Sequence, residues 1–234
     1  MGAGKAKMTQ EAEIAAAVRR LFDLPVAVAV TRPDAVHPAL LEGEATLIAR
    51  ARPARIAEFT AGRSAAREAM RQLGYAPEPI LATTDRAPIW PPGLVGSISH
   101  CADWCIAVLA PQSDMRALGV DIEDDGPLPA DLLQEVCSPI EVARLQGQAP
   151  LGAAKSIFCA KEAAYKAQYP LTKTLFGFDR LEVTLAKDPT AFEAEFTQAT
   201  ECFTRGEKLP GRVALVAGHL VSGVAIGQID RKGA

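Results

Sequence analysis

Hydrophobic positions along this chain follow two periods, and each block predicts an element. In residues 10–22, Ile14, Val18, Leu21 and Phe22 share one stripe, which predicts a helix stopped by Pro25. Residues 26–30 read as a buried strand, and His37-Pro38 and the acidic residues after it as a loop. Residues 52–73 form the longest helical pattern. Residues 77–93 hold Pro77, Pro79, Pro88, Pro91 and Pro92, which predicts a rigid surface loop without regular structure. Gly96-Ser-Ile-Ser-His100 then leads into the apolar run 104–110, a buried central strand. Residues 119–123 alternate: Val120 and Ile122 point one way, Asp121 and Glu123 the other. An acidic loop with prolines follows.

Residues 130–147 are helical around the breaker Ser138-Pro139, and Ser138 to Glu141 fits a helix start with Ser as N-cap, Pro at N1 and Glu at N3. Residues 151–168 form the next helix, with Ile157, Phe158, Ala164 and Tyr165 on its apolar stripe and Pro170 closing it. Residues 181–185 and 191–196 read as strands. Residues 212–217 and 220–226 read as a closing hairpin around Gly218-His219. Helical material followed by strands thus recurs without a sequence repeat. This is compatible with two α+β halves, 1–114 and 115–234, joined near 111–118.

Composition narrows the partners. The 234 residues are 49% hydrophobic and 23% charged, ordinary for a globular protein. The net charge of −3 gives no overall basic field for a nucleic acid, so any phosphate site is a local cluster. Five cysteines, Cys101, Cys105, Cys137, Cys159 and Cys202, show no C-x-x-C spacing. His100, Cys101 and Cys105 lack a fourth ligand at a zinc-finger spacing, which favours small buried thiols in a reducing compartment. The N-terminus has no apolar signal region, and Ala6 stands where myristoylation needs Ser or Thr. The apolar run 24–30 is too short to span a bilayer. The expectation is a cytoplasmic protein with no membrane span.

The candidate chemistry is anionic at one place and cationic at another. Asp121 and Glu123, two apart on one strand face, can offer oxygens to a hard cation such as Mg²⁺; an acidic, solvated strand face has the same pattern. Residues 52–73 carry Arg52, Arg55, Arg63, Arg67 and Arg71. Arg55, Arg63, Arg67 and Arg71 fall on one helix face, either a solvated basic face or a phosphate cradle of paired guanidinium donors. Gly62 beside them allows close approach of a backbone or a ligand. Arg86 lies in the Pro-rich loop. Ser97, Ser99 and His100 are polar groups beside a core, where a lone His is commonly a satisfied core residue. In helix 151–168, which also offers Lys161, Glu162 and Lys166 suit an i, i+4 ion pair. Alternatively, Glu162 facing Asp121 and Glu123 completes a three-carboxylate Mg²⁺ site.

Gly96-Ser-Ile-Ser-His100, Gly119-Val-Asp-Ile-Glu123 and Phe158-Cys-Ala-Lys-Glu-Ala-Ala-Tyr-Lys166 resemble, in order and spacing, the three signature motifs of the 4′-phosphopantetheinyl transferases. Phe59-Thr-Ala-Gly-Arg63 and the Trp90-to-Gly93 segment resemble the subgroup typified by the enterobactin synthetase D component. The resemblance covers roughly residues 50–185. Cys159 stands where members often have Ser, and Phe158 where some have Trp.

The resemblance implies a pseudo-dimer of two similar α+β halves with coenzyme A in the cleft between them. It implies transfer of the 4′-phosphopantetheine arm of coenzyme A to a serine of an apo acyl or peptidyl carrier protein, releasing adenosine 3′,5′-bisphosphate. Carried over, Asp121, Glu123 and Glu162 are the Mg²⁺ ligands. Lys166 and His100, with Ser99 beside it, meet the coenzyme A phosphates, and Arg55 and Arg63 lie near the 3′-phosphate, with Arg86 a further candidate. Glu162 would be the general base, and Lys166 would protonate the leaving phosphate. The chain needs no nucleophile, in keeping with its lack of a G-x-S-x-G elbow. The segments 130–150 and 170–178, with Lys173, Leu175 and Phe176, are candidates for carrier docking. The pathways implied are siderophore, non-ribosomal peptide or polyketide synthesis, and two fused halves make a monomer sufficient. The alternatives are another Mg²⁺-dependent phosphate-transfer enzyme, without a P-loop, and a catalytically inactive coenzyme A or carrier-protein binding module.

Overall fold

The computed structural model describes residues 2–145, 149–186 and 190–228, with side chains from residue 10 onward. Among these residues the strands form two antiparallel sheets. The first has the order β1-β3-β2, from β1 (Ala27–Thr31), β2 (Leu94–His100) and β3 (Cys105–Pro111). The second has the order β4-β8-β7-β6-β5, from β4 (Met115–Asp124), β5 (Leu181–Leu185), β6 (Ala191–Phe196), β7 (Lys208–Val216) and β8 (His219–Gly227).

Each sheet carries one long helix whose buried face is built of small residues. Helix α2 (Pro53–Gln72) sets Ala65, Ala66, Ala69 and Met70 against Ala27, Ala29, Ala107 and Leu109. After α3 (Leu133–Val136) and α4 (Pro139–Arg144), helix α5 (Pro150–Thr172) sets Ile157, Ala160, Ala163 and Ala167 against Val183, Phe192, Phe196 and Val224. Helix α1 (Gly2–Arg19) joins the sheets. Its Ile14, Val18 and following Leu21 and Phe22 share one core with Ile106 and Val108 of β3 and with Leu118, Val120 and Ile122 of β4. The alternation read from residues 119–123 is therefore real. Val120 and Ile122 face this shared core, and the opposite face of β4 lies under α5.

β2 and β4 are edge strands of different sheets, and they lie side by side. Side chains join them: Val120 N donates to Ser97 Oγ (3.1 Å) and Ser99 Oγ donates to Asp121 Oδ1 (2.7 Å).

Several expectations shift. Gly96-Ser-Ile-Ser-His100 is part of a full strand, because its groups pair with β3 from Leu94 to His100. The Pro-rich loop is not wholly irregular: Ala82 and Pro88 form a bridge, closed by Thr83 N donating to Ala87 O (2.9 Å). Helix α1 begins and ends earlier than 10–22, and Leu21 and Phe22 sit in the turn after it. Pro170 does not close α5. It lies in the last turn, where few bonds remain to lose, and the helix stops at Lys173, which has φ 54°. The capping box at α4 forms as read: Glu141 N donates to Ser138 Oγ (3.1 Å) and Ser138 N to Glu141 Oε2 (2.6 Å). The hairpin turns at Ala217 and Gly218, both at positive φ, and His219 opens β8. Residues 146–148, at the end of the 130–147 reading, lie outside the described residues.

Candidate active site

A cavity of about 740 Å³ is lined from α2, the Pro-rich loop, β2, β4 and α5. Every candidate site residue lines it: Arg55, Arg63, Arg86, Ser99, His100, Asp121, Glu123, Glu162 and Lys166.

Its floor is the seam between β2 and β4. Lys166 Nζ lies 2.6 Å from Asp121 Oδ1 and 3.0 Å from Ser99 Oγ. The i, i+4 pairing of Lys166 with Glu162 is therefore not the contact made; the ammonium reaches across to the neighbouring strand. Burial opposes the charge on Lys166, but Asp121 and Glu162 outweigh it and raise its pKa. Asp121 is 2% exposed, and its Oδ2 is buried with no hydrogen bond. The Cys159 thiol beneath donates to Ser222 Oγ (3.2 Å) and is kept protonated by burial and by the charge of Asp121.

Glu123 Oε2 accepts from Lys155 Nζ (2.7 Å), a residue the sequence reading passed over. Burial raises the pKa of Glu123, against Lys155 and with Asp121. Burial likewise raises Glu162, Lys166 opposing and Asp121 and Glu123 adding to it. Among the described residues no three His, Cys, Asp or Glu side chains are gathered as a ready metal cage. The donor set nevertheless suits Mg²⁺, which takes one or two carboxylates and completes its shell with water and phosphate. The buried Asp121 oxygen without a hydrogen bond is the donor that such an ion would satisfy.

The basic wall is narrower than the helix pattern implied. Arg63 donates from Nε to Ile80 O (2.8 Å), and its guanidinium lies 4.2 Å from the centre of the Phe59 ring. Burial pushes its pKa down to about 10, so it stays charged at neutral pH. Arg55 Nη1 lies 2.6 Å from His100 Nε2 and 3.2 Å from Glu58 Oε2. Because Arg only donates, His100 accepts at Nε2 and is neutral. Burial lowers its pKa; Glu58 opposes this, and Arg55 and Lys166 add to it. Arg86, at φ 67°, is exposed at the rim. Arg67 and Arg71 do not line the cavity. Arg67 gives both oxygens of Glu44 a hydrogen bond (3.0 and 2.9 Å) and is 3% exposed, and Arg71 pairs with Glu68 at the surface (2.9 Å). Gly62 admits a side chain, Ile98, whose Cγ2 would lie 3.0 Å from an added Cβ.

Lys161, beside Glu162 in sequence, faces away from the cavity. It is buried on Glu141 Oε2 (2.8 Å), Val136 O (2.8 Å) and Phe178 O (3.0 Å), because a shift of one residue turns a helix face by about 100°. The cysteines are all free; Cys105, Cys137 and Cys159 are buried as expected, but Cys101 is half-buried and Cys202 exposed. A second cavity of about 640 Å³ shares Thr83, Arg86, Pro88, Ile98 and Lys166 with the first and is walled by Trp90, Tyr165 and Tyr169. Tyr169 Oη donates to Asp85 Oδ2 (2.8 Å), clipping the Pro-rich loop to α5.

Comparison with known proteins places this arrangement. Residues 43–110 match the 4′-phosphopantetheinyl transferase N-terminal domain, and residues 117–218 match the 4′-phosphopantetheinyl transferase superfamily. The chain is 39% identical over 176 residues to the 4′-phosphopantetheinyl transferase PptT of Mycobacterium tuberculosis, covering 74% of this chain and 77% of that protein. The chain belongs to the 4′-phosphopantetheinyl transferase superfamily. It is also 36% identical over 200 residues to the transferase Svp of Streptomyces mobaraensis, covering 83% and 81%. Enterobactin synthase component D of Salmonella typhi is 37% identical over 169 residues, covering 66% and 70%. The motif residues Ser99, His100, Asp121, Glu123, Glu162 and Lys166 of this transferase all fall within the matched segments. No described helix is long and apolar enough to cross a membrane.

Proposed function

We propose that this transferase moves the 4′-phosphopantetheine arm of coenzyme A onto a serine of an apo acyl or peptidyl carrier protein. The observation that carries the reading is the seam itself. Lys166, Ser99 and Asp121 converge within 3.0 Å beside a buried carboxylate oxygen that lacks a partner, in a cavity whose opposite wall holds Arg55 and Arg63. A polyanionic substrate fits between these walls. Arg63, held over Phe59, and Arg55 supply fixed positive charge for the 3′-phosphate, Arg86 can reach it from the rim, and neutral His100 can donate from its other nitrogen. The adjoining cavity, aromatic and open past Lys166, suits the pantetheine arm.

Asp121, Glu123 and Glu162 would hold Mg²⁺, which when bound neutralises charge on the pyrophosphate oxygens. The carrier serine oxygen forms a bond to the β-phosphorus as the bond from that phosphorus to adenosine 3′,5′-bisphosphate breaks. Glu162, whose pKa burial raises, accepts the serine proton directly or through a water. Lys166 moves from Asp121 toward the leaving phosphate and can give it a proton. Ser99 keeps Asp121 oriented during that movement.

Each half supplies one wall, with the division at 1–114 and 115–234. Supporting this, the matched segments 43–110 and 117–218 fall on either side, and each half lays one long helix on one sheet. This arrangement favours a pseudo-dimer with the site in its cleft, working as a monomer. The relatives include enterobactin synthases, which favours carriers of siderophore or other peptide synthesis. The free thiols agree with a reducing compartment.

The test is intact mass measurement of an apo peptidyl carrier protein incubated with this protein, coenzyme A and Mg²⁺, alongside Asp121→Ala. The expected result is a gain of one phosphopantetheine that disappears with chelator and in the variant. Coenzyme A binding with no transfer to several unrelated carriers would sink the reading in favour of a binding module.

A further inference from the structure

Two of the three site carboxylates already hold an ammonium group. Lys166 Nζ is 2.6 Å from Asp121 Oδ1, and Lys155 Nζ is 2.7 Å from Glu123 Oε2. The two lysines differ in setting. Lys166 lines the cavity with 26% of its side chain exposed, so it can turn toward an incoming anion. Lys155 does not line the cavity. It sits behind Glu123 with 9% of its side chain exposed, 3.5 Å from Asp124 Oδ2 and 5.6 Å from the centre of the Phe158 ring.

This arrangement bears on when a divalent cation can bind. A dication approaching the resting site must compete at Asp121 and at Glu123 with a lysine already in hydrogen-bond contact. The two ammonium groups offset the charge of the two carboxylates they touch and so weaken the attraction on it. A pyrophosphate changes both terms. It draws Lys166 off Asp121, and it brings oxygens of its own for the ion.

We propose that Lys155 and Lys166 latch the resting site against the divalent cation, so that the metal enters with the anionic substrate. Lys166 is the half of the latch that the substrate opens. Lys155 is the fixed half, a positioning residue that holds one oxygen of Glu123 and sets how weakly the substrate-free site binds metal. The inference rests on the transferase reading above.

The test is Mn²⁺ binding followed by electron paramagnetic resonance, on the full chain with and without coenzyme A. Wild type, Lys155→Met and Lys155→Arg are compared. Coenzyme A should tighten Mn²⁺ binding to wild type about tenfold or more, with reciprocal tightening of coenzyme A by Mn²⁺. Lys155→Met should bind Mn²⁺ alone about tenfold tighter than wild type, because a fixed positive charge is gone. Lys155→Arg should behave like wild type. A merely structural Lys155 would change the melting temperature of the Met variant and leave its Mn²⁺ affinity unmoved, which would overturn its part. Equal Mn²⁺ affinity of wild type with and without coenzyme A would overturn the latch outright, whether or not the Met variant folds. Carrier modification is scored on the same wild-type preparation. Transfer without metal coupling refutes the latch alone, whereas absence of transfer refutes the reading beneath it.

Discussion

Gly119 of β4 lies directly beneath Ala163 of α5: a Cβ at position 119 would collide with the Ala163 carbonyl oxygen and come within 2.5 Å of Ala167 N. No side chain fits there, so the helix rests on bare backbone. That closeness lets Lys166, three residues past Ala163, reach Asp121, two residues past Gly119. Gly119→Ala must lift α5. The expected cost is about 1–3 kcal/mol of stability, read by urea unfolding. Transfer should fall by about a hundredfold, since displacements near 1 Å at a reacting centre have that effect. Unchanged transfer would show that the helix height does not set the site.

Glu162 and Lys166 separate by kinetics. Glu162→Gln retains the shape and removes the proposed base, so kcat for carrier modification should fall by about 10²–10⁴ while coenzyme A still binds. Lys166→Met should raise KM for coenzyme A as well as lowering kcat if, as proposed, Lys166 both contacts a phosphate and donates the proton. A Glu162→Gln protein with full activity would reassign the base.

The next residue along offers a contrast. Lys161 and Glu141 form a pair whose side chains are 1% and 0% exposed, and Glu141 also accepts from Val183 N (2.6 Å). Removing one partner strands the other. Lys161→Met should cost about 3–5 kcal/mol in denaturant unfolding. The KM for coenzyme A of the folded fraction should be unchanged. A raised KM with normal stability would place Lys161 at the substrate.

His100 gives the fold a dependence on mild acid. Burial, reinforced by Arg55 and Lys166, holds its pKa below the ordinary imidazole value of 6.5. The unfolded chain therefore takes up this proton first. The stability His100 contributes is complete above pH 6.5 and is lost as the pH falls through that value toward the lower folded pKa. His100→Gln keeps an acceptor for Arg55 and cannot titrate. Comparing urea midpoints at pH 7.5 and 5.5 should show wild type losing more than the variant. Equal losses would assign the acid sensitivity to other groups.

Sequence motifs picked out residues that share one cavity where the pattern was local. Alternation put Asp121 and Glu123 on one strand face, and helical spacing put Glu162 and Lys166 on one helix face. Pairings across elements were not legible. The i, i+4 rule joins Lys166 to Glu162, but only the height of α5 over Gly119 shows that the ammonium meets Asp121. Lys155 carried a faint signal: seven residues before Glu162, it shares that helix face. Arg67 looked like its neighbours Arg63 and Arg71 because helical spacing does not reveal that Glu44, from a distant loop, is buried against it. The fold was legible in its elements and in the repeated helix-then-strand order. The seam was not, since edge strands that meet through hydroxyl groups leave no periodic mark.

That seam has a consequence for handling the protein. β2 and β4 would each present open backbone to neighbouring molecules if they stood alone, and such edges template aggregation. Here each edge is covered by the other, fastened through Ser97 and Ser99. The hydroxyl that orients Asp121 thus also helps keep the molecules apart. Variants that loosen Ser99 should therefore be poorly soluble as well as inactive, their low yield and lost turnover sharing one cause.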